Sequence, residues 1–194
     1  MATTVAASPQ ARPETPADIA PIAAVSGAAG SVVQAVLASF AARRAAEGLR
    51  VVGLVEEAVC GNGTCDGLFL RDLSDGRRVS ISQDLGPGST ACNLDPGGLA
   101  AACALAQAAI AAGADLVILS KFGKQEADRR GLTEAFQAAI AADLPVVTAV
   151  APPLADAWAA FAGPLATPVT ADAEALEVWW RRYRAGQAGA AEAG

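Results

Sequence analysis

The chain has 194 residues, 53% hydrophobic and 18% charged, enough for one domain with a sizeable core. A net charge of −6 and a sequence pI near 4.6 argue against nucleic acid or an anionic membrane as the main partner, while leaving room for a local basic site. There is no histidine, which removes Ser-His and Cys-His nucleophilic chemistry, imidazole acid–base catalysis and the commonest metal ligand.

The first twenty or so residues, Met1 to Pro21, are rich in Ala, Pro and Thr. They lack the basic start and long apolar stretch of a signal peptide, so the expectation is a flexible lead-in and a cytoplasmic location. Ile22–Val25 reads as a short strand, Gly27-Ala-Ala-Gly30 as a turn, and Ser31 as the N-cap of a helix. Val32, Val33, Val36, Leu37 and Phe40 recur at helical spacing over 32–47, and Gly48 closes that helix. Arg50–Val55 is the second strand.

Cys60-Gly-Asn-Gly-Thr-Cys65 is a loop by composition, and 68–73 with 77–81 flank Ser74-Asp75-Gly76 as a β-hairpin. Ser82 to Thr90 is a second polar loop. Asp95 caps a helix with Pro96 in its first turn, running to about Ala112. Asp115–Leu119 is the third long strand, 131–142 a helix, and Pro145–Val150 the fourth strand. A short helix surrounds Trp158 and Phe161, and a final helix over 171–184 carries Trp179, Trp180 and Tyr183. Those aromatics are expected to pack in the core. Exposed together, they would mark a surface for a protein partner or a second copy.

Strands alternating with helices predict an α/β, three-layer domain with a mostly parallel sheet and an inserted hairpin. The expected organisation is a lead-in over 1–20, one α/β domain over 21–184 and a disordered tail over 185–194. No apolar run is long enough to span a membrane.

Strand, Gly27-Ala-Ala-Gly30, helix is the setting of a phosphate-binding loop, where backbone N–H groups and a helix N-terminus face an anion. A catalytic loop of this kind also carries Gly-Lys-[Ser/Thr]. Here the helix opens Gly30-Ser31-Val32-Val33, without that lysine. After the strand Asp115–Leu119 come Ser120-Lys121-Phe122-Gly123-Lys124-Gln125-Glu126, at the carboxyl edge where open α/β sheets bind ligands. Lys121 and Lys124 make a local positive potential suited to an anion, and Glu126 is expected to orient one of them by ion pairing.

The order of these elements resembles that of small P-loop nucleoside triphosphatases. Gly53-Leu54-Val55-Glu56-Glu57, the hairpin 68–81 and Lys121-Phe122-Gly123-Lys124-Gln125-Glu126 follow in matching order over roughly residues 20–150. Those enzymes read Asp-Glu-Ile-Gly-Lys-Met-Glu where this chain has Ser120 and Lys121 in place of the acids. The resemblance implies a P-loop-NTPase-like fold with degenerate Walker A and Walker B motifs. The chain also resembles an uncharacterised bacterial family, through Ser82-Gln-Asp-Leu-Gly-Pro-Gly88, Cys92-Asn-Leu-Asp95, Lys121–Glu126 and Arg130-Gly131-Leu132. Relatives of that family are loosely tied to molybdate uptake.

The function this implies is binding of a small anion or nucleotide-like ligand, an oxyanion such as molybdate being one version, without efficient hydrolysis. Gly27, Gly30 and Ser31 form one side of the pocket and Lys121, Lys124 and Glu126 the other. Gln83 and Asp84, with Ser89 and Thr90, would serve as a lid or as a rigid connector. One alternative is a divergent nucleoside triphosphatase in which Lys121 or Lys124 replaces the loop lysine, with magnesium on Glu56, Glu57 or Glu126. Another is a non-catalytic interaction module. Cys60, Cys65 and Cys92 are weak candidates for a thiolate metal site, Cys65 and Cys92 also for a reversible disulfide, and Cys103 reads as packing.

Overall fold

The computed structural model describes residues 19–61, 64–83 and 94–192. Of residues 59–61, 64–66 and 190–192 only the backbone is described. Seven strands form one sheet in the order β4-β3-β2-β5-β6-β1-β7. They are β1 (Ile22–Ser26), β2 (Val51–Gly61), β3 (Thr64–Asp72), β4 (Arg78–Ser80), β5 (Leu116–Phe122), β6 (Val146–Val150) and β7 (Ala166–Thr170). The run β2-β5-β6-β1-β7 is parallel throughout, and β3 and β4 add an antiparallel edge.

Parallel strands buried on both faces are apolar at successive positions, which is how β1 and β5 read. Ala23, Val25, Leu116 and Ile118 point to one layer, with α1 (Gly30–Ala46) and α6 (Ala173–Glu192). Ile22, Ala24, Val117 and Leu119 point to the other, with α2 (Pro96–Ala111), α4 (Thr133–Ala141) and α5 (Ala155–Ala162). Among the described residues, the three-layer α/β architecture is as expected.

The elements differ from expectation in several places, one being that β5 runs on through Phe122. Strand pairing in the β2–β3 hairpin continues to Gly61 opposite Thr64. The stretch 60–65, expected as a loop, therefore belongs largely to hairpin arms, since an antiparallel ladder once begun extends at little cost. Strand β7 has no counterpart in the sequence reading. Its Pro168 disfavours an interior strand, yet β7 pairs only with β1 and leaves its other edge open. Finally, the helix expected over 171–184 runs on to Glu192, so the expected tail is helical through that residue. Asp172 caps it by accepting from the N–H groups of Glu174 and Ala175 at 2.8 and 3.0 Å. Alanine, arginine, glutamine and glutamate in its second half are strong enough helix formers to carry Gly186 and Gly189.

The aromatic face of α6 is spent on the core. Trp179, Trp180 and Tyr183 are buried, Trp180 packs edge-on to Phe40, and Trp179 Nε1–H donates to Ala20 O at 3.1 Å. This face therefore offers no exposed aromatic patch. Among the described residues, no helix is long and apolar enough to cross a membrane.

Candidate functional site

The carboxyl ends of β1, β5 and β6 open into a cavity of about 190 Å³ beside the turn after β1. Ser26, Gly27, Gly30, Gln34, Glu56 and Lys121 are among its walls. Gly27 adopts φ +96°, a conformation open to glycine at no steric cost, and this turns the chain sharply into α1. The helix starts two residues earlier than expected. Ala29, not Ser31, stands at the N-cap, with no side chain to accept a first-turn N–H. Ser31 lies on the exposed outer side and is not a wall of the cavity. The reason is geometric: helical φ/ψ already hold at Gly30, so Ser31 falls in the first turn and its hydroxyl is past the capping position. The opening N–H groups of α1 thus have no side-chain cap.

Counting the frame G-x-x-x-x-G-K-[ST] from Gly27 puts Val32, Val33 and Gln34 in its last three positions. Val33 is buried in the core and Val32 is exposed. Gln34 is buried, and its amide is used at both ends. Nε2 donates to Ser120 O at 2.6 Å, and Oε1 accepts from Glu56 N at 3.0 Å. One glutamine therefore ties α1 to β5 and β2 where they border the cavity. Sequence reasoning missed this residue, although its place in the frame marked it.

Lys121 leaves β5 toward the same cavity. Its Nζ lies against Glu56 Oε2 as a close ion pair, with 45% of the lysine and 18% of the glutamate side chain exposed. The contact is charge to charge, since Glu56 Oε2 has no hydrogen-bond partner of good angle. Glu126 was expected to orient Lys121 or Lys124 by ion pairing; among the described residues it pairs with neither, and Glu56 stands beside Lys121.

Glu126 is buried and serves the backbone. Oε2 accepts from Gly123 N at 2.8 Å and Oε1 from Leu132 N at 2.8 Å. It closes the segment 123–132 around α3 (Lys124–Ala127), as the acid of a capping box reaches back to the residue that opens the helix. Gly131 is required beside it: φ is +62°, and a Cβ there would lie 2.2 Å from Glu126 Oε1. Lys124 is exposed at the first position of α3 and borders a second cavity, of about 360 Å³, under the hairpin. Lys121, Glu56 and Gly123 border both cavities.

The other expected site residues fall elsewhere. Gln83 is exposed, donates to Leu94 O at 3.0 Å, and borders neither cavity. Its amide helps close the ladder where Ser82 pairs with Leu94. Ser82, not singled out in the sequence, does border the larger cavity. Asp84, Ser89, Thr90 and Cys92 lie outside the described residues. Cys60 and Cys65 face one another in backbone register. Cys103 is buried, and burial pushes its thiol up, consistent with packing. Glu57 is held by Arg71 and by Arg78 at 2.8 Å. Partial burial pushes its carboxyl up, but the two guanidiniums together outweigh this and hold it below the usual glutamate value.

A parallel sheet between two helical layers, with a glycine turn after β1 leading into a helix, defines a P-loop-NTPase-like α/β protein. The architecture matches a human cancer-related nucleoside triphosphatase solved in solution, with a TM-score of 0.55 and 16% sequence identity over 76% of this chain and 85% of that one. Residues 22–179 match the family model of a protein of unknown function, DUF2478, and the chain belongs to that family. It is also 41% identical over 146 residues to a molybdenum import ATP-binding protein, ModC 2, of Bradyrhizobium diazoefficiens. That match covers 75% of this chain and 16% of the relative's own length.

Proposed function

We propose that this domain binds a small anion or a nucleotide-like ligand at the carboxyl ends of β1 and β5 and does not hydrolyse it efficiently. The observation that carries this reading is Gln34. In the frame that would supply a hydroxyl for magnesium, an amide takes its place and spends both ends on Ser120 O and Glu56 N. Val33 stands where the phosphate-binding lysine would be, and Ser120 where β5 would carry an acid. Among the described residues, the groups at the site do not fit magnesium, a hard cation that takes carboxylates, hydroxyls and water in near-octahedral array. The candidate acids are engaged elsewhere: Glu57 with two arginines, Glu126 with two backbone N–H groups, and Glu56 with Lys121.

What remains favours holding an anion. The first turn of α1 has uncapped N–H groups with the positive end of the helix dipole, and Lys121 reaches the same cavity from β5. The relative's role in molybdenum import makes molybdate one specific occupant, and cytoplasmic placement would suit that role. The divergent triphosphatase reading needs Lys121 or Lys124 to replace the loop lysine.

A thermal-shift panel of ATP, GTP, phosphate, sulfate and molybdate separates these outcomes, because a saturating ligand of the native state must raise its melting temperature. At least one anion is expected to stabilise the protein, and Lys121→Ala to abolish that shift. A panel with no shift at all would defeat the pocket itself. Magnesium-dependent phosphate release that disappears in Lys121→Ala would establish the enzyme reading instead.

A further inference from the structure

The two cavities are separated by the Lys121–Glu56 pair, and their walls differ in kind. The smaller has the glycine turn and the start of α1. The larger is lined by Leu68, Leu70, Ile81, Leu94, Leu99 and Leu132. Its volume of about 360 Å³ falls within the range of small-molecule pockets, roughly 300–1,000 Å³. An inorganic oxyanion gains nothing from six aliphatic side chains and is disfavoured there, because burial without hydrogen-bond partners costs it its hydration. A nucleobase would also leave ring nitrogens and exocyclic groups unpaired against those leucines. The cations at this cavity are Lys121 and Lys124, with Ser82, Ser120 and Gln125 as neutral polar walls. Glu126, also a wall, has both oxygens bound by backbone.

We infer that the cleft takes an organic anion, its acid group on Lys121 and its apolar ring or chain in the leucine-lined cavity. This rests on the reading that Lys121 is an anion contact and goes further in naming what the anion is attached to. Lys121 is half-exposed, so its ammonium can turn from Glu56 to an incoming acid without repacking the core. Glu56 then acts as a competitor for the lysine: it holds the ammonium in place when no ligand is bound, and it opposes a negative ligand by like charge.

The test is calorimetry with naphthalene-2-sulfonate, sulfate and 2-naphthol as probes, beside the ATP and molybdate arms above. The aromatic sulfonate is expected to bind one to one, at least tenfold more tightly than either sulfate or naphthol. Lys121→Gln should remove its advantage over naphthol. Leu68→Trp, which fills the cavity, should remove its advantage over sulfate, with Leu94→Phe as a second filling variant should the first lose its cooperative melt. Glu56→Gln should tighten sulfonate binding several-fold. Sulfate binding as tightly as the sulfonate, or indifference to both filling variants, would overturn the inference and leave the anion site standing. Naphthol binding as tightly as the sulfonate, or weaker sulfonate binding in Glu56→Gln, would also overturn it. Failure of every anion, inorganic and organic, would remove both readings together.

Discussion

The turn after β1 and the segment after β5 both face the cleft, but they treat their backbone groups in opposite ways. After β1 the chain passes through Gly27, Ala28 and Ala29 into a helix with no side-chain cap. After β5 a buried carboxylate is spent on backbone N–H groups, and Gly131 is held against it. One segment leaves donors available to something outside the chain, and the other uses its charge internally. A charged residue in a binding cleft is therefore not automatically a ligand contact. Glu126 had the position and type of a site residue, and its hydrogen bonds show it to be a fastening for the segment that carries Lys121 and Lys124.

This contrast can be broken most severely at Glu126. Glu126→Ala leaves Gly123 N and Leu132 N without their acceptor, and hydrogen bonds to a charged group contribute about 1.5–3 kcal/mol each. A loss of roughly 3 kcal/mol or more in chemical denaturation is expected. A loss under about 1 kcal/mol would mean the segment holds itself without the carboxylate.

Gln34→Ala comes next. It strips partners from Ser120 O and Glu56 N, at about 1–3 kcal/mol by the usual cost of unsatisfied buried groups, read from the same denaturation curves. An unchanged midpoint would show that water substitutes for the amide.

The Glu57 cluster lies beyond the cleft and gives a smaller, pH-dependent effect. Its folded-state value is lowered by Arg71 and Arg78, so the stability it contributes is present above the ordinary glutamate value. That contribution is lost as the pH falls through the lowered one. Glu57→Gln should flatten the acid limb of melting temperature against pH while changing little at neutral pH beyond the lost pairs. An identical acid limb would remove the cluster from the account.

Ser31→Ala is the mildest change. The hydroxyl is exposed and does not cap α1, so a shift within about 0.5 kcal/mol is expected. A cost near 1 kcal/mol, the usual value of a lost N-cap, would restore the reading from sequence.

Strands β1, β2, β5 and β6 were legible because apolar runs bounded by glycine, proline and acidic residues leave few alternatives to a buried parallel strand. β7 was not: Ala166-Thr-Pro-Val-Thr170 has one buried residue, Val169, and becomes a strand only because β1 has an edge to offer. In the site, Gly27, Gly30 and Lys121, expected from their places beside strand ends, line the smaller cavity, and Lys124 lines the larger one. The partner of Lys121 was not legible, because Glu56 is 65 positions away in the chain and only the β2–β5 pairing brings it near. The leucine-lined cavity was equally hidden, since its walls come from the hairpin, α2 and the start of α4, each reading as ordinary core.

The place of β1 one strand in from the sheet edge has a kinetic consequence. Its backbone is paired on both sides, to β6 and to β7, so the turn that follows stands on a doubly anchored strand. Amide exchange in β1 should be among the slowest in the protein, requiring near-global opening. An occupant of the cleft would meet a fixed wall on that side and a swinging ammonium on the other. Its arrival would then need Lys121 to turn away from Glu56 by side-chain rotation.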